Sequence, residues 1–113
     1  MKVLLDENLD PRLKDRLTSD KFSFEIFSVR DMNWLGLKNG ELLKKAILGN
    51  FDIFVSADQQ LKYQQNLPAL KINIVILKLV KNNFSNQILK LAELALISER
   101  IFSDKTKIGY FEI

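Results

Sequence analysis

The chain has 113 residues, of which 47% are hydrophobic and 27% are charged, a composition ordinary for a globular protein. It contains no cysteine and no histidine. Their absence excludes disulfides, thiolate nucleophiles, metal sites built on Cys or His, and triads that need an imidazole. The net charge of +3 is compatible with a polyanionic partner but does not identify one. The length predicts one domain over residues 1–113.

The first half of the chain predicts two strands and two helices. Residues 3–5 are apolar and stop at Asp6, as expected of a buried parallel strand. Asp10 and Pro11 suit the start of a helix that buries Leu9, Leu13 and Leu17. Residues 23–29 alternate as a second strand, with Phe24, Ile26 and Ser28 on one face.

A second helix follows an irregular segment over residues 30–38 that carries the only Trp. Asn39 is the predicted cap of this helix, and Gly49 its predicted end. Its predicted buried face consists of Leu42, Leu43, Ala46 and Ile47.

The second half of the chain predicts three more strands, over residues 52–56, 72–79 and 107–113. We expect Ile108, Tyr110 and Phe111 of the last strand to contact the core. Residues 58–66 predict a short polar helix that stops before Pro68. Residues 84–99 predict one amphipathic helix, capped by Asn82 or Asn83.

This alternation of strands and helices predicts an α/β fold with three α/β/α layers and a mostly parallel sheet of about five strands. Asp6 and Asp58 follow the first and third strands. If these strands are neighbours, both carboxylates face one crevice at the carboxyl edge of the sheet. Side chains alternate along a strand, so we expect Asp6 rather than Glu7 to point into it.

Clustered carboxylates repel each other unless a cation lies between them. Asp6, Asp58 and Glu41 are the candidate ligands for Mg²⁺ or Mn²⁺, which prefer oxygen donors and could assist phosphodiester hydrolysis without histidine. Each position has a structural alternative. Asp58 could cap the following helix, and Glu41 could be a surface residue favoured by the dipole of its helix.

Three further residues are candidates for substrate binding. Asn8 could hold a carboxylate or contact the substrate, or simply shape a turn. Arg30 could bind phosphate or pair with Asp31. Trp34 could stack on a base, or its loop could pack on the core.

Three blocks of sequence resemble the small bacterial PIN-like proteins related to VapC-type toxins. The first block contains Leu4-Leu5-Asp6-Glu7-Asn8-Leu9. The second contains Val29-Arg30-Asp31-Met32 and Trp34-Leu35-Gly36-Leu37, and the third is Ile53-Phe54-Val55-Ser56-Ala57-Asp58. Together they span roughly residues 1–80. The resemblance implies a PIN-like fold and a Mg²⁺- or Mn²⁺-dependent ribonuclease, with Asp6 as central metal ligand, Glu41 as the helix carboxylate and Asp58 as the ligand after the third strand. It also implies an RNA substrate and, for a toxin, a small antitoxin protein as partner.

The chain departs from the family pattern at two positions. Gln60 and Asn39 stand where the family often has acidic residues. Both departures lower the expected affinity for a divalent cation, so the alternative is a catalytically degenerate module that binds a partner protein or RNA without turnover. A phosphoacceptor receiver domain is a further alternative, but no Ser or Thr ends the fourth strand.

The location and assembly of the protein are expectations from simple patterns. No apolar run is long enough to span a bilayer, and the start of the chain does not have the pattern of a signal peptide, so a cytoplasmic protein is predicted. A homodimer could form through Leu35, Leu37 or the C-terminal strand.

Overall fold

The structure, a computed structural model, describes residues 1–19, 24–64, 71–104 and 108–113. The strands of the described ranges are β1 (Lys2–Leu5), β2 (Glu25–Ser28), β3 (Ile53–Ser56), β4 (Asn73–Ile76) and β5 (Tyr110–Glu112). The helices there are α1 (Arg12–Ser19), α2 (Asn39–Leu48), α3 (Leu61–Gln64), α4 (Phe84–Ile88) and α5 (Leu91–Ser103). Ser23, Asn66 and Lys107, each at one end of a predicted element, lie outside the described residues, as does Pro68.

The strands form one sheet in the order β2-β1-β3-β4-β5, and every pair is parallel. Chain order reverses between β1 and β3, because the chain goes outward to β2 and then returns past β1. This arrangement creates a topological switch point between the carboxyl ends of β1 and β3. The predicted parallel sheet of about five strands is therefore confirmed, and the first and third strands are neighbours.

Each face of the sheet carries its own apolar core, because strands buried on both sides expose alternate residues to opposite faces. Leu5 and Val55 contribute to one core, which is covered by leucines of α1 and by Leu94 and Ile101 of α5. The opposite core contains Leu4 and Phe54 and is covered by α2 and by Leu61 of α3. Helices on both faces confirm the predicted three-layer α/β/α architecture.

Two predicted helix starts are confirmed. Asp10 precedes α1 and accepts a 2.9 Å hydrogen bond from the backbone N–H of Arg12, while Asn83 caps α4 by accepting from the N–H of Asn86. The predicted cap of α2 is wrong. Lys38 occupies the cap position without a side-chain hydrogen bond, and Asn39 is the first residue of the helix.

The single helix predicted over residues 84–99 is instead two helices, α4 and α5. Gln87 of α4 is buried and accepts a hydrogen bond from the backbone N–H of Asp10, so α4 is held against the start of α1. Leu94 and Ile101 meanwhile press α5 onto the sheet. One straight helix would not make both sets of contacts, and no Pro or Gly in the segment marks the break.

The last strand is shorter than predicted. Ile108 is 51% exposed and precedes β5, so its predicted core contact is wrong. Tyr110 and Phe111 do pack on the core, on opposite faces of the sheet. Across the described ranges, no helix has the length and apolar content that crossing a membrane requires.

Candidate functional site at the carboxyl ends of β1 and β3

Asp6 lies at the switch point, immediately after β1. Its backbone N–H donates to the carbonyl of Val55 in β3, at 2.9 Å, so the residue continues the ladder between the two strands. The Asp6 residue is only 7% exposed, whereas Glu7 is exposed. The Ser56 hydroxyl donates to Asp6 Oδ2 at 2.7 Å, and the Glu7 N–H donates to Oδ1 at 2.8 Å.

Burial raises the pKa of the Asp6 carboxyl, because removal from water disfavours the charged form. The bonds from Ser56 and from the Glu7 N–H lower that pKa, while the nearby charges of Glu7 and Asp58 raise it further. The Asp6 carboxylate is therefore a buried charge with two donors, close to the carboxylate of Asp58. Because burial and neighbouring negative charge disfavour the bare carboxylate, this environment favours a proton or a cation at Asp6.

Ser56 connects the residues of this site. Its side chain is fully buried at the end of β3. In addition to donating to Asp6, its Oγ accepts from the Asn8 side-chain amide at 3.1 Å and from the Asp58 N–H at 3.0 Å. Sequence reasoning did not assign a role to Ser56. The available signal was a hydroxyl residue that ends an otherwise apolar strand.

Asp58 contacts the starts of two helices, α3 and α2. Its Oδ1 accepts from the N–H of Gln60, and its carbonyl accepts from Leu61, the first residue of α3. Its Oδ2 accepts from the side-chain amide of Asn39, at 3.3 Å, which ties the start of α2 to the site. The predicted capping contact of Asp58 and its proximity to Asp6 thus occur together.

Asn8 fixes the end of β1 to the end of β3. Its amide group donates to Ser56, and its side-chain oxygen accepts from the Ala57 N–H at 3.2 Å. The predicted role in holding a carboxylate is indirect in this geometry, because Asn8 contacts the serine that contacts Asp6.

Arg30 is exposed and lines, with Asp6, a small pocket of about 50 Å³ between β1 and β2. Asp31 does not pair with it. The Asp31 carboxylate accepts instead from Lys14 at 2.7 Å and from the Ser28 N–H at 2.9 Å. These bonds lower the pKa of Asp31. The structure therefore brings Arg30 to the same edge of the sheet as Asp6.

Trp34 packs on the core. Its ring lies 6.1 Å from the ring of Phe51, centroid to centroid, and is half-buried. Phe51 precedes β3 and so lies toward the end of the strand opposite to Ser56. Of the two predicted alternatives, these contacts favour a loop packed on the core over a stacking surface beside the carboxylates.

Glu41 is exposed in the first turn of α2, two residues after Asn39. No hydrogen bond within the described ranges joins it to Asp6 or Asp58. In the same ranges, no group of three or more Asp or Glu side chains is close enough to hold a metal ion. The structure thus associates Asp6 with Asp58, and it leaves Glu41 at the helix end that carries Asn39.

The donors at the site suit a hard divalent cation. Asp6 and Asp58 supply two carboxylates there, and the chain has no His or Cys to add nitrogen or sulfur ligands. The Ser56 hydroxyl is already engaged in three hydrogen bonds, and the Asn8 side-chain oxygen accepts from the Ala57 N–H. Mg²⁺ is commonly bound through one or two carboxylates, with waters and substrate phosphates completing its shell. Asp6 and Asp58 therefore supply carboxylates in the number through which Mg²⁺ is commonly bound, while the described ranges contain no group of three acidic side chains that could hold a metal ion.

Comparison of the chain with protein-family models, with curated proteins and with solved structures found no match. The resemblance to PIN-like proteins consequently stays a prediction.

Proposed function

We propose that the protein is a Mg²⁺- or Mn²⁺-dependent endoribonuclease of the PIN-like type. The proposal includes an RNA substrate, a cytoplasmic location and a role as the toxin of a toxin–antitoxin pair, with a small antitoxin protein as partner. We also propose a homodimer that forms through Leu35, Leu37 or β5. Leu35 is exposed, and β5 is an edge strand.

One observation supports the proposal above the others. Asp6 and Asp58 follow neighbouring parallel strands at the switch point, where α/β proteins bind their ligands. Burial of the Asp6 carboxylate there raises its pKa, and the nearby negative charges of Glu7 and Asp58 raise it further. A divalent cation between Asp6 and Asp58 would compensate both charges.

In this mechanism Asp6 and Asp58 would hold the cation, with Glu41 of α2 as the third carboxylate. The bound ion would supply Lewis acidity, which activates water and offsets the charge of the scissile phosphate. Ser56 fixes the orientation of Asp6 by donating to Oδ2, and Asn8 fixes Ser56. Arg30, on the other side of Asp6, contacts a phosphate of the substrate.

Cleavage of labelled single-stranded RNA in the presence of Mn²⁺ tests the proposal. We expect wild type to cleave the RNA and Asp6→Asn to lose cleavage while keeping its circular dichroism spectrum. Asp15→Asn, which removes an exposed carboxylate of α1, is the matched control and should retain activity. Undiminished cleavage by Asp6→Asn would reject the mechanism.

A catalytically degenerate module is the second candidate, and the environment of Asp58 favours it. Asn39 approaches Asp58 through its amide nitrogen, and Gln60 approaches through its backbone N–H. Neither contact adds the negative charge that an acidic residue would bring. On this alternative the protein binds RNA or a partner protein without cleaving it, and wild type shows no turnover at any Mn²⁺ concentration. Cleavage gained by Asn39→Asp would support this candidate, because it would identify the missing charge.

A further inference from the structure

A second polar cluster lies at the carboxyl edge of the sheet, on the β5 side of Asp58. Glu112 is at its centre. Its Oε1 accepts from Tyr110 Oη at 2.8 Å and from Lys62 Nζ at 3.1 Å, and its Oε2 lies 3.9 Å from Lys78 Nζ. Two ammonium groups thus share one carboxylate, so the cluster has an excess of positive charge.

The cluster is in line with the candidate site. Leu5 of β1 pairs with Val55 of β3, so Asp6 is level with Ser56. Ser56 in turn pairs with Ile76 of β4, and Ile76 pairs with Glu112 of β5. Asp6 and Glu112 therefore belong to one row of the sheet, three strands or about 14 Å apart.

Both ends of this row face the same way. Leu4 and Phe54 pack in the core beneath α2 and α3, and Tyr110 packs against the same core. Because side chains alternate along a strand, Asp6 and Glu112 point to that face too. Asp58 is near enough to Tyr110 for its charge to contribute to the raised pKa of the phenol, whose main cause is burial. The cluster and the carboxylate pair therefore form one continuous surface.

An exposed aromatic ring adjoins Lys62, one of the two lysines. Tyr63 of α3 is 74% exposed, and Lys62 Nζ lies 5.2 Å from its ring centroid. An exposed ring beside cations is the combination with which proteins bind single-stranded polynucleotides, because bases stack on the ring and phosphates contact the cations. The ion pairs with Glu112 are partly exposed, so exchanging them for phosphate contacts costs little.

We propose that Lys62, Tyr63 and Lys78 bind the single-stranded polynucleotide as it leaves Asp58 toward β5. Lys62 and Lys78 contact phosphates, Tyr63 stacks on a base, and Glu112 with Tyr110 positions the lysines. This inference rests on the proposed function, since it places the scissile phosphate between Arg30 and these residues.

Binding of a short fluorescein-labelled RNA, measured by anisotropy in EDTA, tests the inference separately from cleavage. We expect Lys62→Gln and Lys78→Gln each to weaken binding severalfold and to reduce its salt dependence. Lys71→Gln is the matched control. Lys78 follows the carboxyl end of β4, whereas Lys71 is exposed and precedes the amino end of the same strand, and its loss changes the net charge equally. Tyr63→Ala should weaken binding at least about fivefold, and Tyr63→Phe should not.

The outcomes separate the inference from the proposed function. Equal weakening by Lys71→Gln, or no effect of Tyr63→Ala, would overturn the inference, as would tighter binding of poly-glutamate than of RNA. If the wild type cleaves no RNA but binds it, and Lys62→Gln, Lys78→Gln and Tyr63→Ala selectively lose binding, the binding surface is upheld and the nuclease is rejected. Single-stranded DNA of the same sequence, measured beside RNA, shows which polynucleotide the surface prefers.

Discussion

The Ser56 hydroxyl donates a 2.7 Å hydrogen bond to Asp6 Oδ2 across the switch point between β1 and β3. The same oxygen accepts from Asn8 and from the N–H of Asp58. One fully buried hydroxyl therefore holds the ends of two strands and both candidate metal ligands in register. Any change at Ser56 acts on the fold and on the charge of Asp6 together.

We expect Ser56→Ala to lower the free energy of unfolding by about 1–3 kcal/mol, because it leaves buried polar groups without a partner. It should also raise the pKa of Asp6, since the bond from Ser56 lowers it. Urea unfolding at several pH values measures both effects. Ser85→Ala, at an exposed serine of α4, is the control. An unchanged free energy of unfolding for Ser56→Ala would show that the hydroxyl is not the connecting group described above.

Asp6 should give the protein a characteristic pH dependence. Its pKa is raised in the folded state above the ordinary value of 3.8, so the folded state holds the proton more tightly than the unfolded state does. In the absence of divalent cations, the contribution of Asp6 to stability is therefore lost as the pH rises from the ordinary pKa of 3.8 through the raised pKa of the folded state. Asp6→Asn should remove this part of the profile.

Thermal unfolding between pH 3 and pH 8, in EDTA, measures the difference between wild type and Asp6→Asn. Asp15→Asn should follow wild type, because its carboxylate is exposed on α1. Parallel profiles for wild type and Asp6→Asn would contradict a raised pKa at Asp6.

Mn²⁺ should bind the carboxylate pair. Isothermal calorimetry of wild type is expected to show saturable binding that both Asp6→Asn and Asp58→Asn lose, because each variant removes one of the two charges at the switch point. Binding should tighten as the pH rises through the pKa of Asp6, since the cation competes with a proton. Glu41→Gln distinguishes the two predicted roles of Glu41, which are a metal ligand and a surface residue. Weakened binding would indicate a ligand, and unchanged binding a surface residue of α2.

Ser98 of α5 is fully buried, and its hydroxyl has no hydrogen-bond partner among the residues that the structure describes. Ser98→Ala should therefore raise the free energy of unfolding by about 1 kcal/mol, because it removes an unsatisfied buried hydroxyl and introduces the best helix former. Chemical denaturation measures the change, with Ser103→Ala as control at an exposed serine of the same helix. A loss of stability in Ser98→Ala would reveal a partner for the hydroxyl.

Local patterns were sufficient for much of the fold. Short apolar runs that end in Asp6 and Ser56 predicted buried parallel strands, and Asp10 and Asn83 predicted helix starts, because periodicity and capping depend on neighbours in the sequence. The boundary between α4 and α5 was not predictable in this way. It depends on Gln87, whose partner Asp10 is 77 residues away.

The sequence by itself determined the fold class and the carboxylates that could meet at one edge of the sheet, since both depend on residue types and local spacing. Only the tertiary structure decided that β1 lies beside β3 and that Ser56 joins Asp6 to Asp58. It likewise turned Asn39 from a predicted cap into a partner of Asp58, and placed Lys62 and Lys78 around Glu112. These contacts join residues far apart in the chain, and strand pairing and burial, rather than any local propensity, bring them within hydrogen-bonding distance.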